Sequence, residues 1–312
     1  MIIQTGLRTD IPAFYSQWFL NRLKAGYVLV RNPYNPNLVT RYRLSPDVVD
    51  AIGFCTKNPA PMLPYMDALK SYGQYWFVTI TPYGRDIEPN VPPRERVMED
   101  FKRLSAIVGA DCTGWRYDPI LLSEEYPLKR HFADFEAMAR SLSGYTKTCV
   151  ISFIDLYQKV RRNFPEAREV SKEDRAVIGQ EFVRIGKRYG MEIKGCGEGR
   201  ELEAYGVNCG GCMTLETYEK AIGAKLHGPK QKSRARSACA CHLSCDIGQY
   251  DTCAHFCRYC YANANRAAVR QNMQNHDPDS PLLVGGLRPE DQIHEAKQES
   301  WRDGQLDLWN LL

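Results

Sequence analysis

The run YWFVTITP at residues 75–82 decides the fold expected for this chain. Its first six residues are apolar, aromatic or β-branched, and they do not alternate with polar residues. Such a continuous run is typical of a strand that is buried on both faces of a parallel sheet. An amphipathic segment, PRERVMEDFKRLSAIVG at 93–109, follows this run and ends in glycine, as helices often do. A strand followed by a helix predicts one βα unit of a parallel sheet.

The same alternation extends from residue 1 to about residue 196. Further strands are predicted at 1–6 (MIIQTG), 27–33 (YVLVRNP), 49–56 (VDAIGFCT), 112–120 (CTGWRYDPI), 149–155 (CVISFID) and 191–196 (MEIKGC). Helices are predicted between them at 11–26, 128–144 and 172–190. Seven such strands, with one more near residue 250, predict an α/β fold with a parallel (β/α) barrel that is complete or partial. An open, doubly wound sheet is the alternative.

Composition and charge narrow the class of protein. The chain has 312 residues, 44% hydrophobic and 25% charged, with a net charge of +4. No run of apolar residues reaches the ~18 needed for a membrane span, and no charged segment leads into a short apolar one at the start. We therefore expect a cytoplasmic protein without a membrane partner. Residues 225–236 carry five Lys or Arg and no acid, which suits a phosphate backbone or simply a solvated linker.

The cysteines indicate metal chemistry. Six of the twelve lie between residues 239 and 260, and a secreted disulfide framework would require a signal peptide and usually a smaller chain. Cys253, Cys257 and Cys260 have the spacing C-x-x-x-C-x-x-C, with Tyr259 directly before the last. Three thiolates suit a 4Fe-4S cluster that keeps one iron open for a ligand. A structural zinc site or inert thiols are the alternatives.

Several motifs together resemble one bacterial family. They are RTDIPAF (8–14), VLVRNPYNP (28–36), TKNPAPML (56–63), TPYGRDIEPN (81–90), WRYDPIL (115–121), VISFIDLY (150–157) and CACHLSCDIGQYDTCAHFCRYCYAN (239–263). Over residues 4–309 the chain resembles the family called domain of unknown function 1848. That family looks like radical S-adenosylmethionine (radical SAM) proteins whose cysteine motif has moved to the C-terminal end. A looser similarity runs to spore photoproduct lyase, a DNA repair enzyme.

The resemblance implies a chemistry but no substrate. It implies a 4Fe-4S cluster on Cys253, Cys257 and Cys260 that binds S-adenosylmethionine and cleaves it to a 5′-deoxyadenosyl radical. DNA repair or nucleic acid modification is the expected role, with a small metabolite as the runner-up substrate. A reductant protein such as flavodoxin or ferredoxin would supply electrons. The rival hypothesis is a non-catalytic zinc or iron–sulfur module that binds nucleic acid.

The late position of the cysteine loop suggests a circular permutation. A strand candidate, CDIGQYD at 245–251, precedes the loop, and a helix candidate, YANANRAAVRQNMQ at 261–274, follows it. This βα unit is expected to close the barrel beside the N-terminal strand. The chain then divides into the barrel units (1–196), a cysteine-containing excursion (197–245), the closing unit (246–276) and an acidic tail (277–312).

Polar residues end several predicted strands, and in a parallel barrel these ends form one rim. They are Arg8, Asp10, Lys57, Asn58, Arg116, Asp118 and Asp155. We expect Arg8, Lys57 and Arg116 to bind carboxylate or phosphate, since the forked guanidinium of an arginine matches the geometry of those anions. The aspartates are candidates for orienting ribose hydroxyls or the substrate. Each residue also has a simpler interpretation as a helix cap or an ion-pair partner.

The other cysteines suggest a second site. The resemblance implies Cys196, Cys212, Cys239 and Cys241 as ligands of a second 4Fe-4S cluster or a zinc ion, with Cys209 and Cys245 as alternates. Such a site would relay electrons or tie down the 197–238 excursion. Cys55, Cys112 and Cys149 lie in predicted strands and are expected to be small buried side chains.

The chain ends in a possible docking motif. Gln305, Leu306, Asp307, Leu308 and Trp309 resemble the short segment that bacterial DNA polymerases and repair proteins insert into the sliding clamp. Leu308 and Trp309 would fill an apolar pocket while Gln305 hydrogen-bonds at its edge. The alternative is an apolar anchor that packs on its own domain.

Overall fold

The computed structural model describes residues 1–228, 239, 241 and 245–302. The strands along these residues are β1 (Ile2–Gln4), β2 (Tyr27–Arg31), β3 (Leu38–Arg43), β4 (Ala51–Thr56), β5 (Gly73–Thr79), β6 (Thr113–Ile120), β7 (Thr148–Phe153), β8 (Glu192–Gly195), β9 (Cys245–Asp246) and β10 (Gln292–Glu295). The α-helices are α1 (Ile11–Phe14), α2 (Ser16–Ala25), α3 (Arg94–Val108), α4 (Leu128–Leu142), α5 (Gln158–Asn163), α6 (Lys172–Arg188), α7 (Leu215–Ile222) and α8 (Arg266–Gln274). Within these residues, no helix is both long enough and apolar enough to cross a membrane.

Seven strands form one parallel sheet in the order β8-β7-β6-β5-β4-β1-β9. The predicted α/β class and parallel sheet are confirmed. From β1 to β8 the order advances in one direction, so right-handed crossovers place the connecting helices on one face, as in a barrel rather than a doubly wound sheet. β9 pairs with β1 in parallel, which puts the C-terminal βα unit beside the N-terminal strand.

Along the described residues the sheet does not close, so the barrel is not complete there and a partial barrel is the predicted form that remains. β8 and β9 are the two ends of the sheet and do not pair with each other. Asn208, in the excursion after β8, occupies the outer edge of that strand. Its N–H donates to the carbonyl of Ile193, and its carbonyl accepts from the N–H of Gly195, both at 2.9 Å. These bonds satisfy edge groups that a closing strand would otherwise take.

A correction concerns the strand predicted at 27–33. β2 lies outside the parallel sheet and pairs antiparallel with β3, which pairs in parallel with β10. Neither β3 nor β10 is predicted from the sequence, because LVTRYR and QIHE mix polar with apolar residues and lie partly or fully exposed. The apolar run of β2 is therefore half-covered by a small sheet rather than buried in the large one.

Aromatic rings fill the helix-covered face of the large sheet, which we call the outer face. Phe135 of α4 stacks on Phe182 of α6 at 3.7 Å between ring centroids, and Trp115 of β6 stacks on Phe135 at 4.8 Å. Phe54 and Trp76 stack at 3.8 Å over neighbouring strands. All are fully buried. The helices predicted at 93–109, 128–144 and 172–190 are confirmed as α3, α4 and α6.

The opposite face, which we call the inner face, is partly covered by α7. Tyr218 of α7 is fully buried and accepts a hydrogen bond from the side-chain amide of Gln4 at 2.7 Å. Gly53 of β4 is required there, because a Cβ atom would lie 2.4 Å from the Tyr218 hydroxyl. Nearer the C-terminal ends of the strands, the inner face carries Arg116, whose guanidinium lies 5.4 Å from the Phe77 ring centroid.

Candidate metal centres

The three cysteines of the C-x-x-x-C-x-x-C spacing lie on one loop between β9 and α8, which we call the cysteine loop (residues 247–265). Hydrogen bonds within the loop fix its shape. The side-chain amide of Asn263 donates to the carbonyl of Cys253 at 2.8 Å. The N–H of Cys260 donates to the carbonyl of Cys257 at 3.1 Å. The loop is therefore held across its base and again between two of the thiols.

The backbone of the cysteine loop is strained beside a thiol. Phe256, directly before Cys257, has a φ of 56°. This left-handed conformation is costly for a bulky residue and persists only where the surroundings enforce it. The turn at Phe256 sets the direction in which the chain presents Cys257.

His255 joins the cysteine loop to the ends of two strands. Its Nε2 lies 2.9 Å from the carboxylate of Asp10, which follows β1. The same carboxylate oxygen accepts the backbone N–H of Lys57, after β4, at 2.8 Å. The other oxygen of Asp10 caps α1 by accepting from the N–H of Ala13 at 3.0 Å. Asp10 thus caps α1, which is the simpler of the two roles considered for it, and it also anchors the cysteine loop.

Glu88 makes a second anchor at the end of β5. It is 4% exposed, and one of its oxygens accepts from the Lys57 ammonium at 2.9 Å and from the Thr81 hydroxyl at 2.7 Å. The hydroxyl of Tyr259 donates to the same oxygen. Burial alone would lower the pKa of Lys57, but Glu88 and Cys257 together raise it above its usual range. Tyr259 is therefore held by a buried ion pair.

The thiols of the cysteine loop are half-buried and protonated when no metal is bound. Burial raises the pKa of Cys253, Cys257 and Cys260 above the usual thiol range. For Cys253 and Cys257 the charges of other cysteines in the loop add to this rise. Lys57 acts against this rise, because its positive charge lowers the pKa of Cys257. Metal binding would therefore have to displace protons.

Each predicted cation of the rim already faces a carboxylate. Arg8 pairs with Asp246 at 2.9 Å, and Lys57 pairs with Glu88. Arg116 pairs with Asp118, and the Asp118 carboxylate also accepts from the hydroxyl of Ser152. These side chains lie at the C-terminal ends of the strands, as expected. Each one is already neutralised by a carboxylate of the protein.

The remaining rim residues have local roles. The side-chain oxygen of Asn58 accepts from the N–H of Ala60 at 3.3 Å and so shapes the turn after β4. Asp155 is half-buried just past β7, and its carbonyl accepts from the N–H of Tyr157 at 2.9 Å. Both residues lie at strand ends, where the sequence predicts them.

Four further cysteines come together on the inner face, and we call them the second thiol group (Cys196, Cys212, Cys239 and Cys241). The sulfurs of Cys212 and Cys241 are 3.5 Å apart. The N–H of Cys241 donates to the sulfur of Cys239 at 3.5 Å, and Cys196 is hydrogen-bonded to Cys212. This set is the one that the family resemblance implies.

Charged and polar donors surround the second thiol group. The guanidinium of Arg116 donates to the sulfur of Cys212 at 3.5 Å, and the N–H of Met213 donates to that of Cys241 at 3.2 Å. A hydrogen bond from Cys241 lowers the pKa of Cys239 to about 6, so this thiol ionises first.

The alternates Cys209 and Cys245 lie apart from this group. Cys209 is half-buried behind Gly195, and its pKa is raised by burial and then by Glu203 and Glu198 rather than by other thiols. Cys245 is buried in β9, hydrogen-bonded to Tyr42. The geometry therefore separates Cys212 from Cys209, which the sequence left open. Among the described side chains, no three His, Cys, Asp or Glu are arranged as ligands of a metal ion.

The comparison with known families identifies the chain. Residues 2–262 match the family described as Domain of unknown function (DUF1848). This chain belongs to the DUF1848 family. No curated protein and no solved structure matches it. The predicted family is thus confirmed, while the radical chemistry and the similarity to spore photoproduct lyase stay predictions.

A cavity of about 320 Å³ adjoins the cysteine loop of this DUF1848 chain. Six of the residues that line it are Asn163, Phe256, Cys257, Arg258, Asn263 and Arg266. It lies where the end of α5, the cysteine loop and the start of α8 meet. One of the predicted cluster ligands therefore borders a space large enough for a small molecule.

Sequence reasoning missed several residues of this DUF1848 site. His255 and Glu88 hold the cysteine loop on the strand ends, and Arg258, Asn263 and Arg266 line the cavity. His255 and Arg258 lie inside the cysteine motif, and Glu88 lies inside TPYGRDIEPN, so their positions in those motifs were the available signal. The docking motif at Gln305, Leu306, Leu308 and Trp309, and residues 229–236 of the basic segment, lie outside the described residues.

Proposed function

We propose that this protein is a radical S-adenosylmethionine enzyme whose 4Fe-4S cluster is held by Cys253, Cys257 and Cys260. The observation that carries this proposal is the attachment of the cysteine loop to the C-terminal ends of β1, β4 and β5. His255 bonds to Asp10, and Tyr259 bonds to Glu88, which is paired with Lys57. The carboxyl ends of parallel strands are where αβ enzymes place their chemistry.

The chemistry of the donor set supports such a cluster. Three thiols on one loop match its preference for thiolate ligands and leave a position open. The N–H of Ala262 lies 3.4 Å from the sulfur of Cys260, a hydrogen bond of the kind that tunes cluster potentials. The cavity at Cys257 gives a second molecule access beside the loop.

When bound, the cluster would supply the electron that cleaves S-adenosylmethionine to a 5′-deoxyadenosyl radical. The residues around it have supporting tasks. Lys57, Glu88 and Tyr259 fix the loop and place a cation beside Cys257, where it favours the thiolate. The buried rings of the outer face and the cover of α7 keep water from the interior of the sheet.

We propose a second metal, a 4Fe-4S cluster or zinc, in the second thiol group. Its four sulfurs leave no open protein position, as is typical of structural or electron-relay sites. Arg116 contacts both Cys212 and Asp118, so it links this group to the rim of the sheet. Electrons would come from a small carrier such as flavodoxin or ferredoxin.

The proposed substrate class is nucleic acid, with a small metabolite as the runner-up. The basic segment and the sliding-clamp motif support nucleic acid, but only through their sequence. Loss of clamp binding on removal of Leu308 and Trp309, with folding intact, would support the docking role. Binding that is unchanged or absent from the start would contradict it.

The decisive experiment is purification of the full chain without oxygen, followed by addition of a reductant and S-adenosylmethionine. We expect a brown protein that forms 5′-deoxyadenosine. Cys257→Ala should reduce this product to the level of a blank reaction, whereas Cys112→Ala should retain it, because Cys112 lies at the far end of β6 and bonds to the carbonyl of Ala221. A colourless, zinc-loaded chain without turnover would instead favour the nucleic-acid-binding module.

A further inference from the structure

The cavity beside Cys257 is lined by Asn263, a side chain whose oxygen has no hydrogen-bond partner in the described part of the chain. Asn263 is 6% exposed, and its amide nitrogen is committed to the carbonyl of Cys253. Its side-chain oxygen, Oδ1, is buried and accepts no hydrogen bond from the described residues. A buried acceptor left in this state is costly, so a donor from a ligand would relieve it.

Among the described residues, the charged side chains that line this cavity are both cationic, Arg258 and Arg266. Arg258 contacts Glu166 at 2.5 Å, but a guanidinium has five N–H donors, so this contact uses only part of its capacity. Arg266 lies over the ring of Phe256 at 5.5 Å, and within the described residues it forms no ion pair.

The start of α8 adds to the positive potential. Asn265 is the N-cap of this nine-residue helix, and its side chain accepts from the N–H of Ala268 at 2.8 Å. Helix N-termini favour anions, because their first N–H groups point outward with the positive end of the helix dipole. Arg266 is the first residue of the helix, so the guanidinium and the helix terminus reinforce each other.

The cations first expected to bind an anion are less suited to it. Arg8, Lys57 and Arg116 each pair with a largely buried carboxylate, and an anion would have to displace that partner. At the cavity, two guanidinium groups stand against one carboxylate, Glu166, whose side chain is 56% exposed. Neither Arg258 nor Arg266 is therefore held by a buried carboxylate among the described residues.

We propose that this cavity binds a phosphate group of the substrate. A phosphate ester carries one to two negative charges and several acceptor oxygens, which match two guanidinium groups and a helix N-terminus. The buried Oδ1 of Asn263 would accept from a hydroxyl of the group that the phosphate carries. A volume of about 320 Å³ suits a phosphate with an attached sugar.

This inference rests on the proposed function, because it assigns the substrate's phosphate to the side of the loop that presents Cys257. The phosphate could belong to a mononucleotide or to a nucleic acid strand, and both present the same chemistry to the cavity. Binding and cofactor cleavage are separate measurements. A failure of one therefore does not imply a failure of the other.

The test is calorimetric titration of the anaerobically purified full chain with inorganic phosphate, thymidine 5′-monophosphate and a ten-nucleotide oligothymidylate. We expect all three to bind, and Arg266→Gln to weaken each at least tenfold. Arg270→Gln is the matched control, because it removes the same charge from an exposed position one turn further along α8, away from the cavity. It should change affinity less than twofold.

Three outcomes would overturn the proposal. One is no binding of any probe, and another is an equal loss in Arg266→Gln and Arg270→Gln, which would indicate general charge attraction. The third is equal binding of acetate and phosphate. A mononucleotide that binds as tightly as the oligonucleotide supports a small-molecule substrate, and much tighter binding of the oligonucleotide supports a strand. If 5′-deoxyadenosine forms but phosphate does not bind, only the present inference fails.

Discussion

The two faces of the parallel sheet use the same strands for different purposes. On the outer face, Trp115 and its aromatic neighbours are packed ring on ring under α4 and α6. On the inner face, the next residue of the same strand, Arg116, contacts a carboxylate and a thiol. Successive side chains of a strand point to opposite faces, so one strand supplies both environments.

This difference suggests that stability and chemistry are divided between the faces. Outer-face substitutions should change the free energy of unfolding and leave cofactor cleavage per folded molecule intact. Inner-face and rim substitutions should disturb the thiols directly. The three predictions below test this division.

The largest effect on stability is expected from Phe135→Ala. The ring stacks on both Trp115 and Phe182, so its removal should cost about 4 kcal/mol of unfolding free energy. Urea unfolding measures this cost, and 5′-deoxyadenosine formed per folded molecule should be unchanged. Phe132→Ala, at a half-buried position of the same helix, should cost clearly less. Equal costs, or activity lost in the folded fraction, would contradict the division.

Lys57→Met tests the rim. Removing the Lys57 ammonium leaves Glu88 buried without its cation, which typically costs about 3 kcal/mol of unfolding free energy. The cysteine loop should loosen as well, because Tyr259 shares Glu88. Lys70→Met makes the same change in an exposed pair with Asp67, where the cost should be at most about 1 kcal/mol. Urea unfolding and protease cleavage within residues 247–265 report the two effects, and similar results for both variants would refute the anchoring role.

The smallest effect concerns pH and the outer face. His131 is fully buried, with the Tyr117 hydroxyl 2.7 Å from Nδ1 and the Leu121 carbonyl 2.8 Å from Nε2. Burial lowers its pKa, so below pH ~6.5 the unfolded chain binds a proton that the folded chain does not. Stability is therefore fully present above that pH and falls as the pH drops.

Through this one group, the unfolding free energy changes by at most about 1.4 kcal/mol per pH unit. Urea unfolding between pH 7.5 and pH 5 should show it in the native chain. His131→Gln should remove that share of the slope without changing cofactor cleavage per folded molecule at pH 7.5. An unchanged slope in the variant would assign the pH dependence to other groups.

Much of the large sheet follows from sequence, because its strands are long apolar runs whose burial does not depend on a particular partner. β4, β5 and β7 are of this kind. β3 and β10 are not, since their mixed residues become strands only by pairing with β2 and with each other. The choice between a complete and a partial barrel was left open for a related reason. The residue that bonds to the edge of β8, Asn208, belongs to no strand pattern in the sequence.

The candidate site was predictable to the extent that local spacing defines it. The cysteine loop and the strand-end residues Asp10 and Lys57 lie near one another, as expected. Glu88 was missed because its role depends on a hydrogen bond from Tyr259, 171 residues away. Arg266 was missed because an exposed arginine at a helix start resembles any solvated one until the cavity is seen.

The pairing of β9 with β1 has a consequence for how the molecule is made. Strands β1 and β4 are about 50 residues apart, whereas β1 and β9 are about 240 apart. Loop closure over the longer span costs roughly 1.4 kcal/mol more by chain entropy alone. A chain that leaves the ribosome from its first residue onward completes β8 before its cysteine loop emerges. Docking of the loop would thus come late in synthesis, on a scaffold that already exists, and any metal there would be acquired afterwards.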